Sequence, residues 1–229
     1  MSGLREQYLA EMGIPILKLR GPPAAPVDPV TPGDDHAQTG SADLTTAARW
    51  QTLAAAVQGC KLCTLHERRT QTVFGVGRRD ADLLVIGEAP GADEDRQGEP
   101  FVGRAGQLLN AMLRAIGYAR GDVYIANILK CRPPNNRDPS PTEAATCTPY
   151  LQQQIGLVAP RVILAVGRIA AQWLLQSDAP IGRLRGQVFR YGTSGTPLIV
   201  TYHPAYLLRS PLAKAAAWQD LCMVKGLMK

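Results

Sequence analysis

Four short apolar runs decide what this chain can fold into. Residues 83–86, 123–129, 162–166 and 198–201 are Leu-rich or β-branched, and none alternates cleanly with polar residues. Strands read this way when both of their faces are covered, the situation of a parallel sheet between helices. Helical segments fit between the runs. Residues 105–116 set Leu109, Met112, Leu113 and Ile116 on one stripe, and Gly117 is placed to end that helix. Ser140-Pro141-Thr142-Glu143 is a capping box with proline at the first helical position. A helix at 45–59, with Trp50, Leu53 and Val57 on one side, precedes the first run; two more fit 169–176 and 213–228. The fold class expected is α/β: three layers, α/β/α, around a central, mainly parallel four-stranded sheet.

This accounts for residues 44–229 of a 229-residue chain. The remainder reads differently. Residues 21–43 are rich in Pro, Gly, Ala and Asp and nearly free of large apolar side chains, so ordering them gains little buried surface. They read as a flexible linker, with His36 exposed and inert within it. Before it, residues 1–20 carry Leu4, Tyr8, Leu9 and Met12 at helical spacing up to Gly13-Ile14-Pro15. That tail is read as weakly ordered, with a docking peptide as the alternative; its partner is unknown. It lacks the unbroken apolar segment of a secretory signal, and no run of about 18 apolar residues occurs anywhere. A cytoplasmic, monomeric protein without membrane contact is expected.

In an open parallel sheet, ligands bind beyond the carboxyl ends of the strands. Those ends carry Gly87-Glu88-Ala89-Pro90-Gly91, Asn127, Gly167 and His203-Pro204. Glu88, Asn127 and His203 are thus expected on one pocket rim, a set that can recognise and polarise a planar polar ligand. Singly, an Asn at a strand end is a turn-former and a lone His is structural; the coincidence of three equivalent ends favours a site. Residues 91–103 form a polar loop ending at Phe101, either an anchor onto the sheet or a stacking platform for a flat ring. Its glycines match neither phosphate-binding fingerprint. Asp93, Glu94 and Asp95 read as a solvated acidic cluster that holds the loop's shape rather than a metal.

Cys60 and Cys63 have Cys-x-x-Cys spacing, and fifteen residues separate Cys131 from Cys147. An odd total of five argues against a disulfide framework. Four thiolates suit zinc or an iron–sulfur cluster, and spacing alone leaves the metal open. His66 is a substitute ligand or a surface residue, and Cys222 reads as a core thiol beside Trp218 and Leu221. The chain has a net charge of +6, with 19 Arg and 6 Lys. Arginine grips phosphate with a planar fork, so nucleic acid is compatible with this balance.

Three stretches, GEAPGADEDRQGEPFVGRAGQLL, YIANILKCRPPNNRDP and HPAYLLR, resemble in order the motifs of the family 4, iron–sulfur uracil-DNA glycosylases. The resemblance spans about residues 50–229. It implies a repair enzyme of the same three-layer fold and a [4Fe–4S] cluster on Cys60, Cys63, Cys131 and Cys147. It also implies uracil contacts from Gly87, Phe101 (stacking), Asn127 (reading the base edge) and His203 (facing O2), with Glu88 and His203 catalytic. Ala89 stands where better-known glycosylases of the superfamily have a water-orienting aspartate, which leaves Glu88 as the nearest carboxylate. The segment Arg132-Pro133-Pro134-Asn135-Asn136-Arg137 lacks the histidine with which one subgroup traps DNA covalently. Another subgroup has an apolar residue in place of Glu88.

The substrate implied is single- or double-stranded DNA containing uracil. The residue after His203-Pro204 that fills the vacated stack is read as Leu207, with Tyr206 or Leu208 behind it; Arg209, Arg132 and Arg137 hold phosphates. The alternatives are a glycosylase of broader deaminated-base range and a non-catalytic iron–sulfur DNA-binding or polymerase-associated protein.

Overall fold

The protein, seen as a computed structural model, is described over residues 39–228, with side chains from Thr45 onward. The helix expected within residues 1–20, His36 and the linker up to residue 38 lie outside the described residues. Helix α1, Thr39–Gln58, starts inside the segment read as linker, so residues 39–43 are helical rather than connecting chain.

The order that follows is β1 (Val76–Gly77), β2 (Leu83–Gly87), α2 (Ala92–Gln97), α3 (Arg104–Ala115), β3 (Tyr124–Asn127) and α4 (Pro141–Val158). Then come β4 (Val162–Val166), α5 (Arg168–Leu175), α6 (Ile181–Leu184), β5 (Val188–Tyr191), β6 (Thr196–Thr201), α7 (Pro204–Arg209) and α8 (Lys214–Leu227). The strands form one sheet in the order β1-β3-β2-β4-β6-β5. The central four are parallel, as their sequences imply. The sheet has six strands rather than four, because β1 and β5 add antiparallel edges. Neither edge is legible as a buried run: β1 is two residues long and β5 alternates exposed with half-buried positions.

Alternate residues of the central strands enter opposite cores. Leu84, Ile86, Ala126, Ile163, Ala165, Leu198 and Val200 pack with Trp50 of α1, Leu151 of α4 and Ala171 of α5. Leu83, Val85, Ile125, Val162, Leu164 and Ile199 face α3 and α8, meeting Leu109, Leu113, Leu221 and Val224. Each fully buried Leu or Ile contributes roughly 1.5–3 kcal/mol. A sheet covered on both sides leaves only its strand ends open to a ligand. The capping box of α4 forms as read: Ser140 Oγ accepts from the Glu143 N–H at 3.2 Å, and Glu143 Oε2 accepts from the Ser140 N–H at 2.8 Å.

In α8 the inward face carries Ala217, Leu221 and Val224. Cys222 lies about 100° round the helix from Leu221 and is exposed, so it is not a core thiol, and Trp218 is also partly exposed. Among the described residues, no helix is long and apolar enough to cross a membrane.

Candidate active site

A cleft of about 470 Å³ opens at the carboxyl ends of β2, β3 and β6, lined by Glu88, Phe101, Asn127 and His203 with Arg137, Tyr206 and Arg209. The strand ends therefore do bring Glu88, Asn127 and His203 together.

Gly87 is the floor. A Cβ there would lie 2.4 Å from Asn127 Oδ1 and 2.6 Å from Phe101 Cζ, so only the bare backbone lets amide and ring meet. The Asn127 side chain is buried and its Oδ1 has no hydrogen-bond partner among the described residues. A buried acceptor left unmatched is costly, which marks it as awaiting a donor.

Gly167 similarly admits His203: a Cβ there would come within 3.1 Å of the histidine Cβ. His203 caps α7, its Nδ1 accepting from the Ala205 N–H at 3.1 Å. That bond fixes the tautomer, leaving the proton on Nε2. Burial pushes the imidazole pKa down to about 4; the Arg209 guanidinium acts in the same direction and Glu94 opposes it. The ring is therefore a neutral donor at physiological pH. Its centroid is 5.7 Å from that of Phe101.

Phe101 is held in a left-handed backbone conformation, φ 54°, which an aromatic residue rarely adopts. Arg120 clamps it, donating to the carbonyls of Phe101 at 3.2 Å and Pro100 at 2.5 Å. Gly106 is needed beneath it, because a Cβ there would collide with the Phe101 carbonyl. The polar segment 91–103 is not simply a solvated loop, since residues 92–97 are helical. Its carboxylates do hold the shape. Glu94 accepts from the N–H groups of Gly91, Val102 and Gly103 at 3.0–3.2 Å. Asp95 is buried and accepts from the Thr70 N–H. Arg120 escaped the sequence reading because its shortest bonds go to backbone carbonyls, which leave no side-chain signature.

Glu88 is half-buried. Burial pushes its carboxyl up to about 7, Asp138 adds to the rise, and Arg168 opposes it. Asp138 and Arg168 pair with each other at 2.7 Å. Arg137 is not a free phosphate clamp: it donates to both Glu143 oxygens, at 2.7 and 2.8 Å, and to the Asp138 carbonyl. Arg132 donates to Asn136 Oδ1 at 2.8 Å and does not line the cleft. Leu207 cannot serve as an exposed wedge, because helix α7 turns it into the core, where it is 1% exposed. Tyr206 and Leu208 are exposed, and Tyr206 with Arg209 lies on the cleft.

Cys60, Cys63, Cys131 and Cys147 line a second, small and enclosed pocket on the far side of Lys130. Arg69 donates to Cys131 Sγ at 3.1 Å, and the Lys130 N–H to Cys147 Sγ at 3.3 Å. Burial pushes the Cys147 thiol up to about 11, and raises Cys131 as well. Burial disfavours the thiolate forms, and a bound metal would favour them. His66 is not at the surface: half-buried, it lines this pocket and its Nδ1 bonds the Cys63 carbonyl at 2.7 Å. Among the described residues, no three Cys, His, Asp or Glu side chains gather tightly enough to share one metal ion. Sulfurs spread around a cavity fit a cluster that takes each thiolate on a separate iron.

A doubly wound sheet with an amide, a carboxylate and an imidazole at its strand ends, and an aromatic ring beside them, defines an α/β protein whose cleft suits a planar polar ligand. Residues 74–222 match the family model of the uracil DNA glycosylase superfamily. The chain is 43% identical over 182 residues to a type-4 uracil-DNA glycosylase of Pyrobaculum aerophilum, covering 77% of this chain and 93% of that protein. It is 47% identical to that of Archaeoglobus fulgidus over 68% of this chain and 81% of the relative. For that of Thermotoga maritima the identity is 45%, over 67% and 80%. The chain belongs to the uracil-DNA glycosylase superfamily, among the type-4 enzymes.

Proposed function

We propose that the protein hydrolyses the N-glycosidic bond of deoxyuridine in DNA, releasing uracil and leaving an abasic site. The observation that carries this is the buried, unpartnered Oδ1 of Asn127 above Gly87. Uracil offers it the N3–H donor while its O4 accepts from the amide nitrogen. Cytosine presents an acceptor at N3, which would face Oδ1 and leave both unmatched.

The base must leave the duplex stack to reach this cleft. Tyr206 is the exposed apolar side chain at the rim suited to fill the gap, and Arg209 holds phosphate. Phe101 stacks on the ring. As the bond from C1′ to N1 lengthens, the electron pair stays with uracil and the sugar becomes cationic. The neutral His203 donates from Nε2 to O2, where negative charge collects. Ionised Glu88 accepts a proton from the water whose oxygen bonds to C1′. Cys60, Cys63, Cys131 and Cys147 would hold a [4Fe–4S] cluster, which supplies a covalent tie between α1, the segment after β3, and α4. Its role is structural, and the chemistry of base removal is left to the strand ends.

The test is base release from a single-stranded oligonucleotide carrying one deoxyuridine, read by alkaline strand cleavage, with a cytosine oligonucleotide as control. Uracil-dependent cleavage that falls at least about tenfold in Asn127→Ala is expected, the size of one lost transition-state contact. No cleavage by cluster-loaded wild type would overturn the activity; wild-type rates in the variant would overturn the pocket.

A further inference from the structure

Lys130 lines the cysteine pocket and its side chain bonds to Asn127, a residue of the base cleft. Its side chain is 1% exposed. Its ammonium donates to the Asn127 carbonyl at 2.7 Å and to Gln154 Oε1 at 2.6 Å. Among the described residues, it has no carboxylate within ion-pair distance. A buried cation with only neutral acceptors is an expensive choice where an apolar side chain would fill the space.

The surrounding bonds show what it spans. Gln154 lies on the same face of α4 as Cys147, one heptad later, and donates to the Phe74 carbonyl at 2.9 Å and Tyr124 Oη at 3.2 Å. The backbone N–H of Lys130 donates to Cys147 Sγ, and the next residue is Cys131. Asn127 is the last residue of β3, paired across to Gly87. Its own side-chain oxygen is unpartnered. Its backbone carbonyl is therefore the handle by which the peptide carrying that side chain can be held. Cys131 and Cys147 line the same pocket as the ammonium-bearing side chain.

We propose that Lys130 is a positioning residue that holds the Asn127 peptide in its base-reading orientation and ties it to the cysteine pocket. This rests on the reading of Asn127 given above. Lys130 acts through Asn127 alone, so its effect disappears when the Asn127 amide is removed.

The test is a double-mutant cycle on cluster-loaded, full-length protein, with single-turnover base release, KM for uracil DNA, and iron and acid-labile sulfide content as readouts. Lys130→Met and Gln154→Leu cut the network from opposite sides and are each combined with Asn127→Ala. The expected result is unchanged iron and sulfide, a rate loss of at least about tenfold in the wild-type background, and KM within about twofold. In the Asn127→Ala background the further loss is under about twofold. A purely structural role lowers the rate equally in both backgrounds, and that outcome overturns the proposal. So do wild-type rates in Lys130→Met, iron lost in step with activity, or failure of both variants to yield folded, cluster-loaded protein. Should Asn127→Ala alone turn over at the wild-type rate, the pocket reading fails first, visibly and separately from any Lys130 result.

Discussion

Two acid–base groups of the cleft are moved away from their ordinary values in opposite senses. His203 is kept neutral, its pKa near 4, while the Glu88 carboxyl is raised to about 7. A neutral donor and a carboxylate poised near physiological pH suit hydrolysis that builds negative charge on the base and must deprotonate water. If ionised Glu88 accepts that proton, kcat/KM rises with pH up to about 7 and levels above it. Glu88→Gln should remove that inflection and lower the plateau by about 10²-fold, the size of a lost general base. An unchanged inflection in the variant assigns the base elsewhere. Gly87 makes a second prediction at this scale. Gly87→Ala pushes a methyl into both Asn127 and Phe101, so activity falls at least about tenfold while the fold persists. Activity assays beside thermal melts separate the two effects.

The cleft walls are set by contacts between elements. The aromatic platform depends on a left-handed Phe101 clamped by Arg120, which leads into β3. Arg120→Ala frees two carbonyls and lets the backbone relax. Turnover should drop by about tenfold with a loss of stability of about 1–2 kcal/mol. Equal losses from Arg120→Lys, which cannot fork to both carbonyls, would show that geometry rather than charge is used. On the opposite wall, Glu143 caps α4 and takes both arms of Arg137, which with the Ser140 N–H holds its carboxyl down near 2. A depressed carboxyl stabilises above its ordinary pKa and loses that contribution as pH falls towards 2. Glu143→Gln should cost about 1–2 kcal/mol at neutral pH, with the difference from wild type shrinking below about pH 4. Chemical denaturation at several pH values measures it.

Across the whole molecule, the cysteine pocket joins residues more than eighty positions apart, from Cys60 to Cys147. Metal bound there should be part of folding free energy rather than an ornament. Cys147→Ser should lose iron and visible absorbance, melt several degrees lower, and expose the segment following α1 to protease. Wild-type melting with no iron would argue against a structural cluster.

The four buried strands, the stripes of the helices that cover them, and the capping box at Ser140 were legible because each is local periodicity or a fixed-offset polar exchange. So were Glu88, Asn127 and His203, since topology alone dictates that parallel strand ends share a rim. The edge strands were not, because a two-residue bridge and a half-exposed hairpin have no pattern that burial imposes. Leu207 and Cys222 were misplaced for one reason: one residue's step around a helix, about 100°, decides core or solvent, and only packing sets that rotation. Arg120 and Lys130 escaped the sequence reading because they reach backbone carbonyls brought near by folding, an interaction that any sequence can supply. The sequence by itself determined the buried strands, the helices that cover them and which residues stand at the strand ends. Tertiary structure decided which side chains face the cleft, which are spent on the scaffold, and that a buried lysine beside the cysteines bonds to Asn127, because those depend on distances between segments rather than on order along the chain.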